Sequence, residues 1–221
     1  MSDRAGIPVV VVDAGVGNLA NVARALAAAG GAPRVTRDPA EIVAAHRLVL
    51  PGVGAFRPPR EALRGELEAA LRSALDGGAE LLGICVGYQL LFEESDEFGV
   101  TGGLALLPGR VIQLPGDVQR PHVGWNRLGF ARRDPLFEGL DDGTEVYFVH
   151  SFAPEGVPAD VALATTVHGR GFAAAAARGR IAGTQFHPEK SGEAGLRLLA
   201  NFLAGAGSIR AARATGATEA A

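Results

Sequence analysis

The sequence predicts an α/β protein: an open, mostly parallel sheet flanked by helices, with additional β extensions in the second half. Three patterns lead there. Apolar runs of strand length alternate with helix-period stretches through the first part of the chain. These runs are apolar on both faces, as strands covered by helices on each side must be. Beyond Glu97 the chain turns rich in Gly and Pro and offers short strand candidates in succession.

Ile7–Val12, with valine at each position from Val9 to Val12, reads as a central strand. Asp13-Ala14-Gly15-Val16-Gly17-Asn18 is a glycine-rich turn. Leu19, Val22, Ala23 and Leu26 then share the face of a helix that Gly30 and Gly31 end. A strand at 34–36, a helix at 39–45 and a buried strand at 47–50 follow, the last running into Pro51-Gly52-Val53-Gly54. Leu63, Leu67, Ala70, Leu71, Ala74 and Leu75 form one amphipathic stripe over 59–76. Residues 79–84 are the next buried strand, and the apolar periodicity at Leu90 and Leu91 reads as a helix after it. Later strands are expected at 110–114, 145–149, 161–167, 172–177 and 181–186. A last helix is expected at 191–203, with Leu196, Leu199, Phe202 and Leu203 on one face. The reading is one domain over 1–205. Residues 206–221, with Ile209 as their one large apolar side chain, read as a flexible tail.

The 221 residues are 48% hydrophobic and 20% charged, which suits a packed core. A net charge of −3 leaves no basic footprint for nucleic acid. One cysteine excludes an intrachain disulfide and fits a reducing compartment. No run approaches the roughly 18 apolar residues of a membrane span, so the expectation is a cytoplasmic protein.

That cysteine, Cys85, stands between Gly83 and Gly87 where a strand gives way to a helix. Gly-x-Cys-x-Gly is the cysteine form of the nucleophile elbow, a tight turn that lifts a reactive side chain above the sheet. Side chains at the two glycines would collide with the neighbouring strand and helix. A helix N-terminus beneath the sulfur favours thiolate. On the pentapeptide alone, a buried structural cysteine is an equal reading.

A cysteine nucleophile needs a base and a group to orient it. Of the five histidines, His187 ends a strand within Gln185-Phe186-His187-Pro188-Glu189-Lys190-Ser191. His187 and Glu189 are two apart, so extended backbone points both to one face. Read alone, His187 is a strand-end histidine capping the next helix. His46 and His168 read as surface or turn residues. An oxyanion would find the Val86 N–H in the elbow and a second donor in Pro51-Gly52-Val53-Gly54 at another strand end, a stretch that reads equally as a plain βα turn. No cysteine pair or His-Glu-x-x-His helix suggests a metal, and no cofactor is expected. A competing reading comes from Gly15-Val16-Gly17-Asn18-Leu19-Ala20, which fits the dinucleotide fingerprint with Asp38 about 20 residues on. It would make the protein a nicotinamide-dependent oxidoreductase, with Asp13 awkwardly close to the pyrophosphate.

Six segments in order carry a resemblance over roughly residues 7–204. They are Asp13 to Leu19, Pro51-Gly52-Val53-Gly54-Ala55-Phe56, Gly83 to Gln89, Pro121-His122-Val123-Gly124-Trp125-Asn126, Tyr147-Phe148-Val149-His150-Ser151-Phe152, and Gln185 to Ser191. Together they resemble the class I, triad-type glutamine amidotransferases. The fourth segment and the Lys-Ser after His-Pro-Glu point to the glutaminase subunits that serve histidine biosynthesis. The resemblance implies Cys85 as nucleophile, His187 as base and acid, and Glu189 as its orienting partner. It implies oxyanion contacts from Val86, Gly52 and Val53, and glutamine contacts from Gln89, Ser151 and Phe152. It also implies a heterodimer with a (βα)8-barrel cyclase, through an interface including Asn18, Trp125 and Lys190. Ammonia would pass to that cyclase, which makes imidazole glycerol phosphate and aminoimidazole carboxamide ribotide. The chain has Ala14, Val86, Tyr88 and Phe152 where that family often has Tyr, Leu, Met and Tyr. The rival readings are an amidotransferase for another synthase, such as those for pyridoxal phosphate or anthranilate, and a non-catalytic subunit that keeps the motifs.

Overall fold

The computed structural model describes residues 6–218. The valine run forms β1 (Ile7–Val12), with Val9, Val11 and Val12 buried. The turn after it delivers Asn18 as the N-cap of α1 (Leu19–Ala28), accepting from the Asn21 N–H. β2 (Gly31–Thr36) returns alongside β1, and Asp38 caps α2 (Pro39–Val43) by accepting from the Ala40 N–H at 2.9 Å. β3 (Arg47–Gly52) is buried beyond its first residue.

The stripe over 59–76 is two helices, α3 (Arg57–Leu63) and α4 (Glu66–Asp76). They part at Gly65, whose φ of +81° disfavours any side chain, and the turn there lets Leu63 and Leu67 both reach the core. β4 (Glu80–Cys85) is buried throughout and runs directly into α5 (Val86–Gln89), a single turn. The helix expected around Leu90 and Leu91 therefore ends before them. Residues 86–92 are all buried, and the carbonyls of Leu90 and Phe92 bond to the N–H groups of Leu104 and Ala105 instead of continuing a helix.

The β-rich second half contributes β5 (Glu94–Ser95), β6 (Thr101–Gly102), β7 (Arg110–Gln113), β8 (His122–Arg127) and β9 (Gly129–Phe130). After these come β10 (Glu145–His150), β11 (Phe152–Glu155), β12 (Ala162–His168), β13 (Arg170–Arg178) and β14 (Ile181–Thr184). The main sheet has the order β2-β1-β3-β4-β14-β13-β12-β9. Its first five strands are parallel and the last three join antiparallel. β10 pairs with β8, and β11, β7, β5 and β6 form a further small sheet. β14 beside β4 is the decisive placement, because it brings residues 185–190 to the same end of the sheet as Cys85.

α6 (Gly192–Leu203) buries Leu199, Phe202 and Leu203, while Leu196 lies at the solvent edge. The stretch expected as a flexible tail is a helix, α7 (Ala206–Thr218); residues 219–221 lie outside the described residues. Its anchors are polar, which is why apolar periodicity did not reveal it. The buried Glu80 carboxylate accepts from the N–H groups of Gly207 and Ser208 at 3.1 and 3.0 Å, an anion at a helix N-terminus. Arg210 makes a bidentate pair with buried Asp134, both bonds 2.6 Å, and donates to the Gly179 carbonyl at 2.9 Å. Among the described residues no helix is long and apolar enough to cross a membrane.

Candidate active site

Cys85 closes β4 with φ +54° and ψ −109°, a backbone conformation that only a tightly packed turn sustains in a residue with a side chain. The glycines around it are a steric requirement. A Cβ at Gly87 would overlap the Leu50 carbonyl oxygen, and one at Gly83 would stand 2.7 Å from the Gly87 oxygen. Tyr88 packs its ring over Gly183 and donates to the Ala173 carbonyl at 3.2 Å; burial pushes its phenol well above the usual value. The Cys85 sulfur lies 3.9 Å from the Val149 carbonyl and 3.8 Å from Gln185 Nε2.

His187 is held from both sides. Its N–H bonds to the Tyr147 carbonyl at 2.9 Å, and its carbonyl accepts from Ser191 Oγ at 2.7 Å. Ser191 Oγ in turn accepts from the Tyr147 N–H. The ring Nδ1 meets Glu189 Oε1 at 2.7 Å, with both side chains only 2% exposed. A carboxylate can only accept here, so Nδ1 carries a proton and Nε2 is the nitrogen left for chemistry. Burial pulls the His187 pKa down, but Cys85 and the Glu189 carboxylate outweigh it and hold the imidazole at about 9. His187 Nε2 and Glu189 Oε2 are buried without a hydrogen-bond partner among the described residues.

A cavity of about 380 Å³ opens over these groups. Cys85, Val86, Gln89, Ser151, Phe152 and His187 all line it, as do Val53 and Lys190. Gly52 is not among its walls; it sits beneath the elbow, in register with Cys85 across the β3–β4 pair. Gln89 donates through Nε2 to the Phe152 carbonyl at 2.9 Å and to Gln185 Oε1 at 3.1 Å. Trp125, 56% exposed, meets the edge of the Tyr147 ring, and Lys190 Nζ lies 5.6 Å over that same ring. Asn18 is occupied as the α1 cap, accepting from the Asn21 N–H. A larger hollow of about 630 Å³ between Phe130 and Asp142 has no cysteine or histidine in its walls.

Sequence reasoning missed several participants. Gln185 bridges Gln89 and Cys85 from inside the core, and its only signal was a polar residue ending an apolar strand. Glu97 reaches the cavity with its Oε2 bonded to the Phe56 N–H at 2.7 Å. Burial raises its pKa. Glu93, Glu94 and Asp96 stand beside it in sequence, and nothing in the pattern singles out one. His168, expected at the surface or in a turn, is half-buried at the end of β12 and stacks on His122 with centroids 4.1 Å apart. The dinucleotide reading fails on geometry: Asp38 is spent capping α2, and Asp13 Oδ1 accepts from the Gly15 N–H where a phosphate would need that donor. Among the described residues no three His, Cys, Asp or Glu are grouped to hold a metal ion.

A family model described as glutamine amidotransferase class-I matches residues 10–206. Among curated proteins, the imidazole glycerol phosphate synthase subunit HisH of Syntrophotalea carbinolica is 48% identical over 203 residues, covering 88% of this chain and 98% of that protein. The subunit of the same name from Symbiobacterium thermophilum is 49% identical over 195 residues, with 88% and 92% covered. Among solved structures, one described as a glutamine amidotransferase superposes with a TM-score of 0.71 at 21% identity, covering 90% of this chain and all of that one. PurLQS from Thermotoga maritima gives 0.71 at 20% identity, covering 90% and 98%.

Proposed function

The chain belongs to the class-I glutamine amidotransferase family, and we propose that it is the glutaminase subunit of an imidazole glycerol phosphate synthase. The observation that carries the chemistry is the convergence of Cys85 and His187 on one cavity with Glu189 behind the imidazole.

In this reading the Cys85 sulfur attacks the side-chain carbonyl carbon of glutamine. The developing oxyanion is met by the Val86 N–H and by backbone of the Gly52-Val53 turn. His187, an imidazolium up to about pH 9, gives its proton to the departing amine as the C–N bond breaks. Ammonia leaves and a γ-glutamyl thioester remains. The neutral imidazole then takes a proton from water, whose oxygen attacks the thioester. The C–S bond breaks, glutamate is released and the Cys85 thiolate is regenerated beside the protonated imidazole. Glu189 fixes the ring and stabilises its charged form in both steps. Gln89, Ser151 and Phe152 hold the substrate, and the Glu97 carboxylate at the cavity wall suits its ammonium group.

The ammonia is consumed by a separate (βα)8-barrel cyclase in a heterodimer. Trp125, Tyr147 and Lys190 form the outward face through which that cyclase docks, with Asn18 on the neighbouring helix. The glutaminase domain spans 1–205 with α7 appended, and one unpaired cysteine suits the cytoplasm. The test is glutamate release from glutamine by the protein alone and with a barrel cyclase carrying its phosphoribulosyl substrate. Strong stimulation by the loaded cyclase is expected. Equal activity in both would keep the glutaminase and overturn the partner, and no glutamate in either would overturn both.

A further inference from the structure

Two histidines beside the cavity have no part in the chemistry above, yet they form a hydrogen-bonded line that ends on it. Asn126 Nδ2 lies 3.3 Å from His122 Nε2, His122 Nδ1 lies 3.1 Å from His150 Nε2, and His150 Nδ1 lies 2.8 Å from the Phe152 carbonyl. That carbonyl also receives Gln89 Nε2 at 2.9 Å.

The direction of every bond can be worked out from each end independently. A carbonyl only accepts, so His150 carries its proton on Nδ1. A neutral ring then has a bare Nε2, which requires His122 to donate from Nδ1. His122, neutral in turn, presents a bare Nε2 to Asn126. From the other end, Asn126 Oδ1 accepts from the Arg127 N–H at 2.8 Å and Nδ2 donates to the Val167 carbonyl at 3.0 Å. These two backbone contacts fix the amide so that its nitrogen faces His122. Both ends of the line require the same orientation, and every donor in it finds an acceptor.

Stacking holds the middle of the line. The His122 ring lies between His168, with centroids 4.1 Å apart and planes 15° apart, and Phe148, at 4.9 Å and 21°. His168 is tethered by its own Nε2 to the Gln119 carbonyl at 2.8 Å. Burial keeps both line members neutral, His122 lowered to about 4 and His150 to about 3.

We propose that His122 is a positioning residue for glutamine recognition: acting through His150, it sets the Phe152 carbonyl that orients Gln89. The proposal rests on the glutaminase reading, since it assigns Gln89 and the Ser151-Phe152 backbone to the substrate. His150 without His122 would keep an unpaired buried nitrogen or turn over its ring, and in the second case the carbonyl would lose its His150 donor and be left to Gln89 alone. Substrate binding should suffer more than the chemical step, because Cys85 and His187 are held by other contacts.

Two measurements test it. Steady-state glutaminase kinetics in the complex with a barrel cyclase would compare His122→Phe, which keeps the stack and removes the donor, with His122→Asn, whose amide nitrogen falls near the Nδ1 position. The expected result is a glutamine KM raised about tenfold in His122→Phe, as for one lost hydrogen bond. The kcat should change less than about twofold, and His122→Asn should recover most of the KM. An unchanged KM in folded His122→Phe, or equal losses in both variants, would overturn the proposal. The second measurement needs no variant and no turnover. Nitrogen-15 shifts of the imidazole rings in the wild-type protein should give the Nδ1–H tautomer for both His122 and His150, against the Nε2–H form that free histidine prefers. An Nε2–H tautomer at either ring would overturn it. Nδ1–H tautomers in a protein without glutaminase activity would uphold the hydrogen-bonded line and put the failure on the functional reading alone.

Discussion

Gly52 lies directly across the β3–β4 pair from Cys85, and a Cβ on it would stand 2.7 Å from the Gly87 backbone nitrogen and 2.9 Å from Val86 Cβ. The turn proposed to meet the oxyanion and the elbow that carries the sulfur are thus packed against each other. Gly52→Ala should push the two apart. A displacement near 1 Å at reacting groups costs roughly 100-fold, so glutamate release should fall by about that factor while circular dichroism shows a folded protein. Activity within about threefold of the wild type would mean the two segments are not mechanically joined.

Cys85→Ala should abolish glutamine hydrolysis and leave the cyclase complex intact, because Cys85 is only 3% exposed and is not on the outward aromatic face. Glutamate assay and size-exclusion chromatography of the mixture check both halves. In the wild type, rapid quenching and intact-mass measurement should find the γ-glutamyl adduct on Cys85.

The pH profile follows from His187. Its proton is retained up to about pH 9 and, in the proposed mechanism, goes to the leaving amine, so kcat/KM should fall above about pH 9. Glu189→Gln removes a charge and a hydrogen bond that raise this value, so the alkaline limb should move to lower pH by at least about one unit. The sign for stability is the same: a His raised above 6.5 stabilises the fold fully below that pH, and the contribution is lost as pH rises through about 9. An alkaline limb unmoved in Glu189→Gln would assign it to another group.

Arg210→Ala should detach the first turns of α7. It leaves Asp134, whose side chain is 3% exposed, buried without its cation, a change worth about 3 kcal/mol or more. Thermal unfolding should show a drop of several degrees with glutaminase activity kept at temperatures where the variant is folded. An unchanged midpoint would mean the ion pair adds nothing to the fold.

Asp38→Ala should cost about 1 kcal/mol, the usual loss of an N-cap, read by urea unfolding. Neither form should bind a nicotinamide dinucleotide in calorimetry. Saturable binding by the wild type would reopen the oxidoreductase reading.

The legible parts of the chain were those that bury apolar surface with a period or close a turn. β1, β3, β4 and α6 follow from runs and faces, and the elbow from two glycines whose missing side chains the neighbours occupy. What escaped was held by polar contacts between segments remote in sequence. α7 is fastened by Glu80, Asp134 and Gly179, none of which leaves a mark on residues 206–218. Gln185 and Glu97 enter the site only because β14 lies beside β4 and because Phe56 reaches Glu97. β8 was read as a motif and not a strand, since its alternation runs against polarity: Val123 and Trp125 are exposed, while His122, Gly124 and Asn126 face inward.

The ring of Tyr88 fills the place where a side chain at position 183 would begin. In evolutionary terms these two sites are not independent letters. As long as residue 88 is aromatic, residue 183 is confined to glycine, and an alanine can become tolerable there only after residue 88 has shrunk. The order of substitution is therefore set: a lineage leaving this state has to change the elbow helix first and the sheet second, and a lineage arriving at it has to empty position 183 before the ring can enter.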